Sequence, residues 1–200
     1  MTRLANADHA ALPWRITEVA PDFDLLDAWS LPATGCSEDF GELVALWEGL
    51  DPASDDGSWA SRWLFRLRTR LGDIFGWDAQ TNTLPIPGHP EASLRERLPA
   101  DLPALEIQQD SPSPFRPIFA TDREWTGELS NTTVHAVVQL GWVPQGDGAF
   151  RGHLGVYVKP RGRLGRVYMR LIAPFRHYVV YPALMRRIRR SWSQRAHSDR

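Results

Sequence analysis

Residues 161–192 read RGRLGRVYMRLIAPFRHYVVYPALMRRIRRSW, a long amphipathic segment that is crowded with arginine. At about 100° per residue, the apolar side chains before Pro182 fall on one helical arc. This spacing predicts a long C-terminal helix that closes the chain. The residues of the arc are Leu164, Val167, Tyr168, Leu171, Ile172, Phe175, Tyr178 and Val179.

The apolar stripe changes direction at Pro182 by roughly a quarter to a third of a turn. Proline inside a helix removes a hydrogen bond and clashes with the preceding turn. We therefore predict a kink near Pro182 and a milder one at Pro174, with the first half of the helix packed on a sheet and the second half packed elsewhere. The apolar set after Pro182 is Leu184, Met185, Ile188 and Trp192, with Tyr181 at its edge.

The predicted sheet is clearest just before this helix. Residues 132–142 and 149–158 both alternate in the manner of strands, and the turn sequence PQGDG separates them, so we predict a β-hairpin. Closure around Gly146 gives one aliphatic face and one polar, aromatic face. The aliphatic face holds Val134, Ala136, Val138 and Leu140 with Leu154, Val156 and Val158, and the polar face holds Thr133, His135 and Gln139 with His153, Tyr157 and Lys159.

The remaining elements are less regular. We predict a strand at residues 14–19, an acidic connection at 21–32, and helices at about 40–50 and 59–75. Residues 78–114 contain seven prolines and predict an irregular surface excursion with a short helix near 93–98. A strand follows at 115–121, and residues 122–130 fit either a capped helical turn or more strand. We interpret Asp22, Asp24 and Asp27 as a solvated acidic loop.

The composition is that of one globular domain over residues 1–200, with a core at 12–192 and a disordered tail at 193–200. A single cysteine, Cys36, excludes an internal disulfide. We expect a cytoplasmic protein, because no apolar run is long enough for a membrane span or a signal peptide. The six histidines show no metal-ligand spacing, so we predict no metal and no cofactor.

The charge is divided unevenly along the chain. Residues 1–140 hold 10 arginines against 22 acidic residues, whereas residues 141–200 hold 13 basic residues against two aspartates. Either the basic end folds over the acidic part, which we favour, or it presents a basic face to an anionic partner. That face would include Arg186, Arg187, Arg189 and Arg190 and could touch a membrane surface or a redox partner; we expect no nucleic acid.

The C-terminal third resembles a bacterial family in the domain-of-unknown-function series, number two-eight-six-seven. The residues that carry the resemblance are Asn131, Thr133-Val134-His135, Gly141-Trp142-Val143, Gly165, Tyr168, Pro174-Phe175-Arg176-His177 and Tyr181-Pro182. Its ending is similar to the START-like (SRPBCC) helix-grip superfamily. That similarity implies an α+β fold in which an antiparallel sheet wraps around a long C-terminal helix and leaves an apolar cavity.

Three hypotheses about function follow. The first is a non-enzymatic binder of a small hydrophobic ligand between sheet and terminal helix, in a cavity lined by Val134, Val138, Leu140, Trp142, Leu154, Val156, Tyr168, Leu171, Phe175 and Tyr178. The second is a cyclase, hydratase or lyase that uses the polar hairpin side chains His135, Gln139, His153 and Tyr157. The third is an interaction module that uses the basic C-terminus.

No catalytic signature supports the second hypothesis. The sequence holds no G-x-G-x-x-G motif, no P-loop and no G-x-S-x-G motif. We therefore favour a solvated outer face of the hairpin for the four polar side chains. His177 could bind an anion with Arg166 and Arg170, but a partly exposed helical histidine is the interpretation that we favour.

Overall fold

A computed structural model describes residues 2–50, 91–107, 113–131 and 133–198. The helix predicted at residues 59–75 lies outside the described residues. Within them the fold is α+β: a six-stranded antiparallel sheet carries helices on both faces. The strands are β1 (Thr2–Arg3), β2 (Asp24–Gly35), β3 (Arg116–Ala120), β4 (Glu124–Ser130), β5 (Val134–Gly146) and β6 (Ala149–Pro160).

The helices are short except at the C-terminus. They are α1 (Asn6–Ala10), α2 (Ile16–Val19), α3 (Phe40–Glu48), α4 (Gly162–Leu171), α5 (Ala173–Phe175) and α6 (Tyr181–Ser198). Single 3₁₀ turns occur at Ser37–Asp39 and Leu94–Arg97. The second of these turns confirms the short helix predicted near residues 93–98.

The order of strands in the sheet is β1-β2-β6-β5-β4-β3, so the first long strand pairs with the last one. The β5–β6 hairpin has the predicted register: Leu140 lies opposite Leu154, and Val138 lies opposite Val156. Positive φ angles at Gly146, Asp147 and Gly148 form its turn. The predicted division of the hairpin into an aliphatic and a polar face is therefore confirmed.

The aliphatic face of the sheet, called here the helix face, holds the larger core cluster. The side chains of Val138, Leu140, Trp142 and Leu154 are buried there together with Trp29 and Leu31 of β2. Helices α3 and α6 each cover part of this face. The α6 residues in this core are Tyr181, Met185, Ile188 and Trp192.

The opposite face, called here the N-terminal face, is also covered. Trp14, Ile16, Val19 and Phe23 pack over it with Leu94 and Leu102, forming a second buried cluster. Because both faces are covered, the four polar hairpin side chains are buried: His135 and Gln139 are fully inaccessible, and Tyr157 and His153 nearly so. Our interpretation of them as a solvated outer face is wrong.

Two predictions near the N-terminus are also wrong. Residues 14–19 contain helix α2 rather than a strand, and the predicted connection at 21–32 contains β2. β2 lacks an alternating pattern because side chains on both of its faces are buried. Its register with β6 shifts between Ser30 and Thr34, and Pro32 lies in this irregularity, where proline is tolerated in a strand.

The terminal segment is interrupted at both predicted places. Helix α4 ends at Leu171, three residues before Pro174, and a π-helical turn, Arg176–Val180, immediately precedes α6 and Pro182. A π turn holds one more residue than an α turn, which rotates the following helix by about 100°. This rotation accounts for the change in direction of the apolar stripe.

The two halves of this segment have the reverse of their predicted roles. Met185 and Ile188, after the π turn, are buried against the sheet, whereas Leu171 and Tyr178 before it are 74% and 82% exposed. The helix also continues to Ser198, through much of the tail that we expected to be disordered.

The basic C-terminus pairs with acidic groups from the rest of the chain. Arg195 lies 3.0 Å from Asp39 and 2.9 Å from Glu42, and Lys159 lies 2.8 Å from Asp22. These contacts support the interpretation in which the basic end folds over the acidic part. Arg186, Arg189 and Arg190 are exposed, while Arg187 is half-buried.

The packing of the terminal segment predicts unequal effects of two alanine substitutions. Met185→Ala removes buried contacts with the sheet and should lower the free energy of unfolding by about 2–5 kcal/mol. Leu171→Ala, at an exposed helical position, should change it by about 0.5 kcal/mol or less. Urea unfolding monitored by circular dichroism measures both, and equal losses would show that both halves pack on the body.

Candidate functional site

A buried carboxylate, Asp27 of β2, anchors the terminal segment to the helix face. It accepts hydrogen bonds from Arg176 Nε at 2.8 Å, from Tyr181 Oη at 2.9 Å and from His177 Nε2 at 2.8 Å. Arg3 of β1 lies at 3.3 Å. Asp27 is fully inaccessible, so our interpretation of it as part of a solvated acidic loop is wrong.

His177 belongs to this anchor and does not bind an anion with Arg166 and Arg170. Its Nδ1 atom lies 2.8 Å from the carbonyl oxygen of Ala173, and its Nε2 atom faces Asp27. Both ring nitrogens therefore lie within hydrogen-bond distance of acceptor oxygens. Arg176, Tyr181 and His177 together surround the buried carboxylate of Asp27, and the Arg176 guanidinium supplies a counter-charge.

This anchor accounts for the placement of the predicted cavity residues. Val134, Val138, Leu140, Trp142 and Leu154 are buried, and Val156 packs against the same core. α6 fills the space above them directly: the rings of Trp142 and Trp192 lie 6.1 Å apart, and those of Trp29 and Tyr181 lie 4.8 Å apart. Of the helical residues predicted to line the cavity, Tyr168 and Phe175 are half-buried and Leu171 and Tyr178 are exposed.

A cavity exists instead at the other end of the helix face, between α3 and the strands β3 and β4. Its volume is about 360 Å³. The walls are largely apolar and include Trp125, Phe115 and Leu105, and Glu48 and Glu106 add carboxylates. The other lining residues are Val44, Pro117 and Ala120.

The N-terminal face holds a buried polar network centred on Glu124 of β4. Glu124 Oε2 accepts a hydrogen bond from the backbone N–H of Arg15 at 2.6 Å. Its Oε1 atom accepts two more, from the backbone N–H of Ile16 at 3.1 Å and from the side-chain amide of Gln139 at 3.3 Å. Gln139 Oε1 lies 2.9 Å from His9 Nε2, so the histidine donates here. The carboxylate thus satisfies two backbone groups at the start of α2.

Gly155 makes room for this network. A Cβ atom at this position would lie 2.6 Å from Gln139 Oε1 and 2.8 Å from His9 Nε2. The rings of His153 and Tyr157 lie beside His9, with ring centroids 5.8 Å and 6.5 Å from it. The structure therefore brings together three of the four predicted polar residues, Gln139, His153 and Tyr157, and adds His9 and Glu124.

Burial shifts the protonation equilibria of this network. It raises the pKa of Glu124 to about 7, and, with the nearby charges of His9 and Arg151, it lowers the pKa of His153 to about 4. Burial also lowers the pKa of His9. It raises the pKa of Tyr157, and the negative charge of Glu124 raises that pKa further. Near neutral pH, Glu124 is therefore the group of the network that gains and loses a proton.

His135, the fourth predicted polar residue, lies in a separate network. Its Nε2 atom lies 2.9 Å from Glu128 Oε2, which also accepts the backbone N–H of Leu94 at 3.0 Å, and Ser93 Oγ donates to the other oxygen. Burial acts to raise the pKa of Glu128, but the hydrogen bonds from His135, Ser93 and Leu94 outweigh it and lower the pKa. Glu128 therefore fixes residues 93–94 against the sheet.

Three groups missed in the sequence are His9, Glu124 and Glu128. The two glutamates lie four residues apart in β4, on the same face as Thr126 and Ser130, so the alternation of polar residues was visible. The burial of these glutamates could not be predicted, because the residues that cover them come from distant parts of the chain. In the described ranges, no group of three or more metal-ligating side chains lies together, and no helix is long and apolar enough to cross a membrane.

Comparison with known families agrees with the resemblance in the terminal third. Residues 19–183 match the family described as "Protein of unknown function (DUF2867)". The chain belongs to this family. No curated protein and no solved structure matches the chain. The family match spans β2 to the start of α6 and therefore includes Asp27, His177 and Tyr181.

The Asp27 anchor predicts a large loss of stability on neutralisation. Asp27→Asn leaves the Arg176 guanidinium without its buried counter-charge and should lower the free energy of unfolding by about 3 kcal/mol. Asp8→Asn, at an exposed aspartate, is the matched control and should have a much smaller effect. Urea unfolding distinguishes them, and equal losses would mean that the anchor does not stabilise the fold.

The raised pKa of Glu124 predicts a pH-dependent stability. Between its ordinary pKa of 4.5 and about 7, the folded protein binds more protons at this site than the unfolded chain. The Glu124 contribution to the free energy of unfolding should therefore decrease across this range, by up to about 3 kcal/mol. The amide in Glu124→Gln cannot titrate, so this variant should lack the pH-dependent contribution of residue 124.

The measurement is the difference in unfolding free energy between wild type and Glu124→Gln at several pH values. Taking the difference cancels the opposite effect of His153, whose lowered pKa makes the fold less stable as the pH falls. Glu38→Gln, at an exposed site, should show no comparable trend. A Glu124 difference that does not change with pH would contradict the prediction.

Proposed function

We propose that this protein is a non-enzymatic binder of a small hydrophobic molecule, and that the ligand occupies the cavity between α3 and the β3–β4 end of the sheet. The observation that supports this proposal is the cavity itself. Its volume of about 360 Å³ lies within the range of about 300–1,000 Å³ that is typical of small-molecule sites. It is also placed where α6 leaves the helix face uncovered.

The lining indicates the class of ligand. Trp125 and Phe115 provide aromatic surface, and Leu105 and Val44 provide aliphatic surface. Glu48 is the half-buried polar group of the lining. The complementary ligand is therefore a largely apolar, ring-containing molecule that has a hydrogen-bond donor or a positive charge at one end.

We also propose a relationship to the START-like helix-grip proteins. The pairing of the first long strand, β2, with the last strand, β6, supports it, as does the terminal helix that crosses one face of the sheet. The position of the cavity differs from what the resemblance implies. It lies beside α3, because Tyr181, Met185 and Trp192 occupy the space beneath the terminal helix.

The enzymatic alternative receives less support from the structure. Gln139 and His135 are fully inaccessible, and Tyr157 and His153 lie beneath the N-terminal segment. A substrate could reach Gln139, His153 and Tyr157 only if residues 9–23 moved away from the sheet, and residues 93–94 are held over His135 by Glu128. The hydrogen bonds of Glu124 to Arg15 and Ile16 oppose such movement and give this network a structural role.

The proposal predicts that filling the cavity abolishes ligand binding. Ala120→Phe introduces a ring into the cavity and should weaken the binding of the neutral apolar dye Nile red by at least about tenfold. Val44→Phe narrows the same space from α3, so the prediction can still be tested if the first variant does not fold. Ala149→Phe places the same side chain at an exposed hairpin position and should bind the dye as wild type does.

Dye titration followed by fluorescence gives the affinities, and native mass spectrometry against lipid and polyketide libraries then identifies the ligand. Circular dichroism establishes that each variant is folded. Equal dye affinities for the wild type and the folded cavity variants would place binding elsewhere. Failure of the wild type to bind the dye or any library compound would refute a ligand-binding function.

A further inference from the structure

The outward side of α4 and the following turn is an amphipathic surface that has no partner among the described residues. Val167, Leu171 and Tyr178 are 55%, 74% and 82% exposed, and Pro174 between them is also exposed. These four residues recur at spacings of three or four, so they lie in one line along the segment that α4, α5 and the π turn form. Large apolar side chains in a continuous exposed line mark an interaction site more often than scattered ones do.

The helix is fixed with this line directed away from the body. Gly165 is buried, and a Cβ atom there would lie 2.3 Å from the carbonyl oxygen of Thr133. At about 100° per residue, Gly165 lies on the side of α4 opposite Val167 and Leu171. The close approach of Gly165 to the loop before β5 therefore presents the apolar line outward.

Arginines lie along one flank of the apolar line. Arg163, Arg166 and Arg170 are exposed, and no ion pair to them is found among the residues that the structure describes. Residues 148–198 contain twelve basic residues and no aspartate or glutamate. The surface thus combines exposed apolar side chains with positive charge that its own segment does not neutralise. Arg176 and Arg195 differ from these arginines, since they pair with Asp27 and Asp39.

We propose that residues 162–178 dock this protein onto the surface of an anionic lipid bilayer. A helix with arginines beside a line of Val, Leu and Tyr lies in the membrane interface with its apolar side chains among the acyl chains. The arginine stems extend toward the headgroups, and their charges pair with lipid phosphates. This surface is distinct from the exposed arginines of α6, and the proposal does not depend on what occupies the cavity.

The shape and charge of this surface favour a bilayer over other occupants. A single convex helix needs a groove in a protein partner, whereas a lipid surface deforms around it. Pairing of two copies through the same surface would bring Arg163, Arg166 and Arg170 close to their symmetry equivalents, which opposes association. Anionic lipid supplies the complementary charge and the apolar medium together.

The test is flotation of the full chain with vesicles of phosphatidylcholine alone or of an equimolar mixture of phosphatidylcholine and phosphatidylglycerol. The wild type should bind the anionic vesicles, fail to bind the neutral ones, and be released by salt. Arg166→Glu with Arg170→Glu should weaken binding by at least about tenfold, since each charge near an anionic surface contributes about 1 kcal/mol. Leu171→Ser with Tyr178→Ser keeps the charge and should also weaken binding.

The matched control is Arg189→Glu with Arg190→Glu, which makes the same change of net charge on the exposed side of α6. It should retain most of the binding; an equal loss would show a response to net charge alone and overturn the proposal. Absence of wild-type binding to anionic vesicles at low salt would overturn it as well.

Two further outcomes would assign the surface to another partner and overturn the membrane proposal. One is a dimer of the wild type, seen by analytical ultracentrifugation, that Leu171→Ser with Tyr178→Ser dissociates. The other is binding to polyglutamate as strong as to the vesicles, with no effect of the Leu171 and Tyr178 substitutions. That result would indicate an acidic protein recognised by charge.

Discussion

The position of the terminal helix depends on one buried carboxylate. Asp27 lies in β2, and three of the groups that hydrogen-bond to it lie about 150 residues later, in the π turn and at the start of α6. A buried charge is tolerated only when its partners are correctly placed. The carboxylate therefore selects one position of the helix, the one in which Met185 and Ile188 cover the sheet and Leu171 does not.

The same principle operates on the other side of the sheet, with a different result. Glu124 and Glu128 hold the N-terminal segment and residues 93–94 through backbone N–H groups rather than through a full counter-charge. Glu128 is paired with His135 and has a lowered pKa, whereas Glu124 meets neutral donors and has a raised one. One strand thus carries two buried glutamates with opposite electrostatic behaviour.

The features that depend on neighbouring residues could be predicted from the sequence. The β5–β6 hairpin was visible because its alternation and turn are local, and the break near Pro182 was visible because proline acts within one turn. The covering of the polar face could not be predicted, because the residues that bury Gln139 and His135 lie more than a hundred positions earlier or in an irregular segment. β2 was missed because a strand buried on both sides lacks alternation, and Asp27 was missed with it.

The π turn before Pro182 has a consequence for how this segment can vary. It contains one residue more than an α-helical turn, and that residue sets the rotation of everything after it. Removing one residue from 176–180 would turn Met185 and Ile188 away from the sheet by about 100° and bring arginines toward it. A substitution keeps the number of residues in the turn and therefore this rotation, so we expect the length of the segment to be more tightly constrained than its composition.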